Sequence, residues 1–157
     1  MIEIFQTPNF LVVAVEKPHV SREEGGHIVI APKLKVVDRT QLSPQLAIEL
    51  QRLTLVVGEA MVIAMNKRGV AIGRINYQDN GNWGVFKPEG PALHVHLYGR
   101  AKNAQIQKYG EALNLPKPDT GFYDSFTSLN DGDIKEIKIE IENIFTRVKY
   151  QDINWRV

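Results

Sequence analysis

Residues 91–100 read Pro91-Ala92-Leu93-His94-Val95-His96-Leu97-Tyr98-Gly99-Arg100. Polar aromatic and aliphatic side chains alternate through the middle of this stretch. Successive residues of a β-strand point to opposite faces, so His94, His96 and Tyr98 share one face, while Val95 and Leu97 turn the other way into a core. Imidazoles presented in a row on a sheet face can serve as nucleophile, acid/base or metal ligand. Spacing alone does not choose among these, or between them and a packed surface pair.

Upstream, His27-Ile28-Val29-Ile30-Ala31 is a β-branched run closed by Pro32, hence a buried strand. Before it, Ile2–Phe5 and Phe10–Val15 read as short strands about the Pro8-Asn9 turn, and the charged loop 16–26 ends in Gly25-Gly26. Ser43-Pro44 opens a long helix, with serine as N-cap and proline in the first turn. It runs to about Arg68, where Gly69 caps its end. Leu53–Met65 is apolar nearly all round, so this helix needs cover on two sides, by a sheet and by either a second subunit or the C-terminal segment.

Val70–Tyr77 reads as a strand, residues 78–81 as a turn and Trp83–Phe86 as the returning partner. Asn103 to about Leu113 reads as a helix. The proline-rich stretch 115–119 marks the boundary between a domain of residues 1–113 and an extension of residues 114–157. In the extension, Ile134, Ile137, Ile141, Ile144, Phe145 and Val148 fall at helical spacing, although Ile137, Ile139 and Ile141 also alternate as in a strand. The order of elements predicts an α+β fold, a mainly antiparallel sheet with one long central helix and a C-terminal helix.

Composition narrows the function. The chain of 157 residues is 43% hydrophobic and 24% charged, enough for a core without disulfides. A formal net charge of +1 and the lack of a basic stripe argue against binding duplex nucleic acid. Cysteine is absent, which removes thiolate nucleophiles and cysteine-ligated zinc and is compatible with the cytoplasm. The N-terminus does not read as a signal peptide, and the most apolar segment is too short for a membrane span. The expectation is a soluble cytoplasmic protein with a small-molecule partner.

Residues 91–100 resemble the signature of the histidine-triad (HIT) superfamily, in which histidines alternate with apolar residues on a strand. Gly26-His27-Ile28-Val29-Ile30-Ala31-Pro32-Lys33 is similar to that family's other landmark, a strand carrying a further histidine and ending in Pro-Lys. The two motifs stand in the family's order with the long helix between them, and the resemblance covers residues 1–113. It implies a homodimeric nucleotidyl hydrolase or transferase acting at the α-phosphate of a nucleoside polyphosphate or phosphoramidate, such as a dinucleoside polyphosphate. His96 matches the histidine that attacks phosphorus and forms a nucleotidyl-histidine; His94 and His27 match histidines near the phosphates, and Asn76 a substrate-orienting asparagine. No cofactor is required, and a divalent metal can accompany the substrate.

The departures are specific. Tyr98 stands in the third triad position, and Gly90 and Pro91 occupy the neighbourhood of the family's upstream Gln and Ser. Lys87 and Arg100 are candidate phosphate-binding cations in their place. Tyr98 either donates to the leaving oxygen or fills the space of an imidazole. Trp83, Phe122, Tyr123 and Phe126 are candidate base-stacking or core-anchoring aromatics, and His19, among Arg22, Glu23 and Glu24, reads as an exposed loop histidine. Two other functions remain: a catalytically weak nucleotide-binding protein, and a metal-binding protein using His27, His94 and His96.

Overall fold

The computed structural model describes residues 1–79 and 81–156. The turn expected at 78–81 includes Asn80 and therefore falls partly outside the described residues. Five strands, β1 (Ile2–Gln6), β2 (Phe10–Ala14), β3 (His27–Pro32), β4 (Ile72–Gln78) and β5 (Val95–Ala101), form one sheet in the order β1-β2-β3-β5-β4. Every pairing is antiparallel. Helix α1 (Pro44–Lys67) and helix α2 (Asp131–Phe145) stack on one face, and a short helix α3 (Asp152–Trp155) follows. The fold is α+β, as expected.

Register fixes which residues share the open face. His27 lies opposite Tyr98 and Val29 opposite His96; Val13 faces Val29, and Asn76 faces Tyr98. Residues Val12, Ile28, Ile30, Val95 and Leu97 point the other way and join α1 and α2 in one hydrophobic cluster. Period-two alternation therefore separates a core face from a site face along every central strand.

Helix α1 begins as its sequence requires: Ser43 Oγ accepts from the Leu46 amide, Pro44 occupies the first turn, and Gly69 follows the end at φ 83°. Its apolar second half is covered on one side by β4 and β5 and on the other by α2. Helix α2 opens on a capping box between Asn130 and Asp133 and buries Ile137, Ile141 and Ile144, leaving Ile139 exposed. The helical period thus wins over the strand alternation in the extension. The second cover for α1 is supplied within the chain, so its apolar surface no longer calls for a partner subunit.

Two expected elements are absent. Gly81–Gly84 forms a 3-10 turn, and β4 pairs with β5 instead of with residues 83–86. The inner edge of β4 is already taken, and Trp83, Val85 and Phe86 are left exposed. Residues 103–113 form turns and irregular chain in place of a helix. Here the buried Glu24 carboxylate accepts from the amides of Gln105, Ile106 and Gln107, while the Arg100 guanidinium donates to the carbonyls of Gln107, Lys108 and Glu111. Side chains from distant segments satisfy the backbone groups that a helix would have paired internally. No helix among the described residues is long and apolar enough to cross a membrane.

Candidate active site

The loop from β2 to β3 is pressed against β5. Gly25 and Gly26 have φ of 132° and 82°, and the Gly99 amide donates to the Gly26 carbonyl. A Cβ on Gly99 would lie 2.2 Å from the Gly25 oxygen, so only glycine allows this approach. The contact brings His19 over the face that carries His27, His96 and Tyr98. His19, expected to be an exposed loop residue, is instead half-buried at the centre of the cluster. Its ring centroid lies 5.0 Å from His27, 5.9 Å from His96, 5.3 Å from Trp83 and 5.1 Å from Tyr123. Gln107 holds this loop by donating to the His19 carbonyl. The glycine pair was the only local sign; the approach itself depends on chain segments some 80 positions apart.

A chain of hydrogen bonds runs through the imidazoles. The His19 amide donates to His27 Nδ1 at 3.2 Å, and His27 Nε2 meets His96 Nδ1 at 2.8 Å. An amide can only donate, so His27 Nδ1 presents its lone pair and the ring proton sits on Nε2. That proton is donated to His96 Nδ1, which leaves the proton of neutral His96 on Nε2. On His94, Nδ1 lies 2.7 Å from the Ala92 carbonyl, an acceptor only, so this ring is protonated at Nδ1 and its lone pair is on Nε2.

Burial keeps the cluster uncharged. His27 is 2% exposed and His96 7% exposed. Desolvation, reinforced by the neighbouring imidazoles, pushes His27 well below the ordinary histidine value and His96 down to about 3. His19 is lowered by burial first and by His94 second. One ring nitrogen from each of His19, His27 and His96 lies within 4.8 Å of the others, close enough to suggest a metal site. The amide on His27 Nδ1 opposes this, because a ligand nitrogen needs a lone pair and His27 Nε2 carries the proton. The residues fit a hydrogen-bonded relay better than a cation site.

Two cavities meet at His94 and His96. An apolar trough of about 580 Å³ runs over Leu11, Val13, Val29 and Ala31, with Lys33 and Lys35 along its rim. A second cavity of about 520 Å³ is lined by Trp83, Lys87, Glu89 and Leu115. His19, Ala92, His94 and His96 belong to both. The aliphatic residues of the trough escaped the sequence reading because, taken singly, outward-facing strand valines look like core.

The remaining candidates divide. Lys87 lines the second cavity beside the histidines. Tyr98 is fully buried and stacks on His96 at 5.3 Å with its hydroxyl 3.1 Å from His19 Nδ1, so it braces the cluster from behind the cavities. Asn76 neighbours Tyr98 across the strand pair and lines neither cavity. Arg100 is 3% exposed, and its guanidinium is occupied by loop carbonyls rather than turned to a cavity. Trp83 meets His19 edge-on and walls the second cavity, whereas Phe122, Tyr123 and Phe126 pack on one another, with Tyr123 donating to the Pro116 carbonyl.

An open antiparallel sheet backed by a long helix, with histidines alternating on its free face, defines the class as the histidine-triad fold. Solved structures agree. A hypothetical histidine triad nucleotide-binding protein from Sulfolobus tokodaii is similar over 93% of this chain and 87% of its own, with a TM-score of 0.59 and 16% identity. A Hit-like protein involved in cell-cycle regulation from Bartonella henselae matches 88% of this chain and 85% of its own (TM-score 0.57, 11% identity). A zinc-bound histidine triad family protein from Mycobacterium smegmatis matches 90% and 84% (TM-score 0.55, 16% identity). No family model matches the sequence, and no curated protein matches it significantly. The chain therefore has the histidine-triad fold, shared at low sequence identity.

Proposed function

We propose that the protein transfers or hydrolyses nucleotidyl groups, acting at the α-phosphorus of a two-ended nucleotide such as a dinucleoside polyphosphate through a nucleotidyl-histidine intermediate. The observation that carries this reading is the meeting of two cavities at His94 and His96. An apolar trough suits a nucleoside, whose base is flat and weakly polar; the second cavity, with Trp83 as a stacking wall and Lys87 as a cation, suits a phosphorylated leaving group. The scissile phosphate then lies against neutral imidazoles. A neutral nucleophile approaches anionic phosphoryl oxygens without adding a negative charge, and covalent capture divides the displacement into two easier steps. The nucleotide-binding name of the Sulfolobus neighbour supports the same choice of ligand.

His27 acts through His96, and Tyr98 and His19 hold the rings in place. A divalent ion accompanying a polyphosphate substrate is compatible with this arrangement. The test is steady-state turnover of diadenosine polyphosphates and adenosine phosphoramidate by the purified protein. Loss on the order of a thousandfold is expected for both His94→Ala and His96→Ala, in keeping with removal of a covalent or oxyanion-stabilising group. Tight nucleotide binding by calorimetry without any turnover would instead favour a binding protein.

A further inference from the structure

We infer that the loop residue His19 is a catalytic residue, its Nε2–H donating to the oxygen of the leaving group as the bond from phosphorus to that oxygen breaks. This rests on the nucleotidyl-transfer reading and goes beyond the part His19 plays in holding its neighbours.

Position 98, where strand periodicity puts the next polar ring after His94 and His96, does not present that ring to substrate. Tyr98 is fully buried and lines neither cavity. Three imidazoles nevertheless line both cavities, those of His19, His94 and His96, and the first of them arrives from the β2–β3 loop. Its ring stands between the sheet and the wall of the second cavity, with centroid distances of 5.9 Å to His96 and 5.3 Å to Trp83, which it meets edge-on. The second cavity, with Lys87 as its cation, is the one suited to a phosphorylated leaving group. His19 therefore lies on the leaving side of the scissile phosphate.

Tyr98 places the proton. Its hydroxyl lies 3.1 Å from His19 Nδ1. A phenol O–H is a stronger donor than a neutral imidazole N–H, and an imidazole nitrogen is a stronger acceptor than a phenol oxygen, so the hydroxyl donates and Nδ1 accepts. The ring proton then sits on Nε2, which has no hydrogen-bond partner among the described residues. Burial first and His94 second lower the basicity of the ring and keep it neutral. Its orientation is fixed before any ligand arrives. The His19 amide donates to His27 Nδ1, the His19 carbonyl accepts from Gln107, and Tyr123 backs the ring at 5.1 Å. A donor already aimed where charge develops needs no reorganisation during the reaction.

The step balances without a proton transfer. An imidazole nitrogen on β5 bonds to phosphorus, the bond from phosphorus to the leaving oxygen breaks, and its electron pair stays on that oxygen as an anion. His19 donates to this anion and keeps its proton. The stabilisation grows with the charge on the oxygen, so poor leaving groups depend on His19 most.

That dependence is the test. Steady-state rates are measured on the phenyl and dinitrophenyl esters of adenosine monophosphate, whose leaving oxygens differ widely in basicity. His19→Ala is expected to lose about a hundredfold on the phenyl ester, the usual cost of removing one such donor, and little on the dinitrophenyl ester. His19→Gln, whose side-chain amide still donates, should recover most of the loss. The ratio of the two rates is taken within one sample, so partial unfolding of a variant cancels. An equal loss on both esters, or native rates on both, overturns the assignment and leaves nucleotidyl transfer intact. Failure of the native protein to turn over either ester overturns both.

Discussion

Burial without a counter-charge makes His19, His27 and His96 weaker bases than free imidazole, and the consequence extends to stability. Unfolding returns each ring to its ordinary value near 6.5. Below that pH the unfolded chain takes up protons that the folded chain refuses, so stability falls as pH drops from about 6.5 toward the folded value, about 3 for His96. Between pH 7 and pH 5 His96 alone accounts for about 2 kcal/mol of lost stability, since each unit of separation is worth about 1.4 kcal/mol. Asp133 also carries a shifted pKa, but in the other sense. Burial would raise it, and hydrogen bonds from Arg22, Asn130 and Arg68 outweigh that, so its stabilisation persists at pH 5 and is lost only below about 3.8. Denaturant midpoints at pH 7 and pH 5 should therefore diverge in the native sequence and diverge less in His96→Asn, where the buried His27 and His19 still resist protonation. A midpoint independent of pH in the native protein would contradict the buried neutral cluster.

At the scale of elements, the site depends on how closely the loop before β3 approaches β5. Gly99 and Gly25 touch through their backbones, and no side-chain rotation can relieve a methyl group placed between them. Gly99→Ala is expected to destabilise the protein by about 1–3 kcal/mol, the usual range for overpacking. Because the displaced loop carries His19, whose amide fixes the tautomer of His27, turnover should fall more than stability at a temperature where the variant remains folded. Circular dichroism melts combined with steady-state rates separate the two effects; a variant with native rate and native melting would refute the role of this contact. The same loop is held from the other side by Gln107 and by Glu24, through the segment where sequence pattern alone predicts a helix.

Across the whole molecule, α2 is tied to the rest by a buried carboxylate. Asp133 receives two hydrogen bonds from Arg22, at 2.7 and 2.9 Å, and one from Arg68 at 3.1 Å, joining the start of α2 to the β2–β3 loop and the end of α1. Asp133→Asn leaves two guanidinium groups facing each other without an anion. Arg68 is partly exposed, so water softens the loss, and a destabilisation of about 2–3 kcal/mol is expected by chemical denaturation, less than for a fully buried pair. Helix α2 also changes how α1 is understood. Its near-continuous apolar surface is matched by Ile137, Ile141 and Ile144 of the same chain.

Patterns of period two and 3.6 determined the strands, the long capped helix, the α+β class and the shared face of His94, His96 and Tyr98, because each depends on neighbours within a turn or two of chain. The sequence likewise carried the two motifs that suggested the fold. Only the tertiary structure decided that His19 joins the cluster, that Arg100 serves a loop, that residues 103–113 are not helical and that α2 covers α1. It also decided the protonation pattern of the imidazoles, since a tautomer is set by whichever donor or acceptor meets the far ring nitrogen. That partner is a backbone group for His27 and His94 and the His27 ring for His96, and neither composition nor spacing identifies any of them.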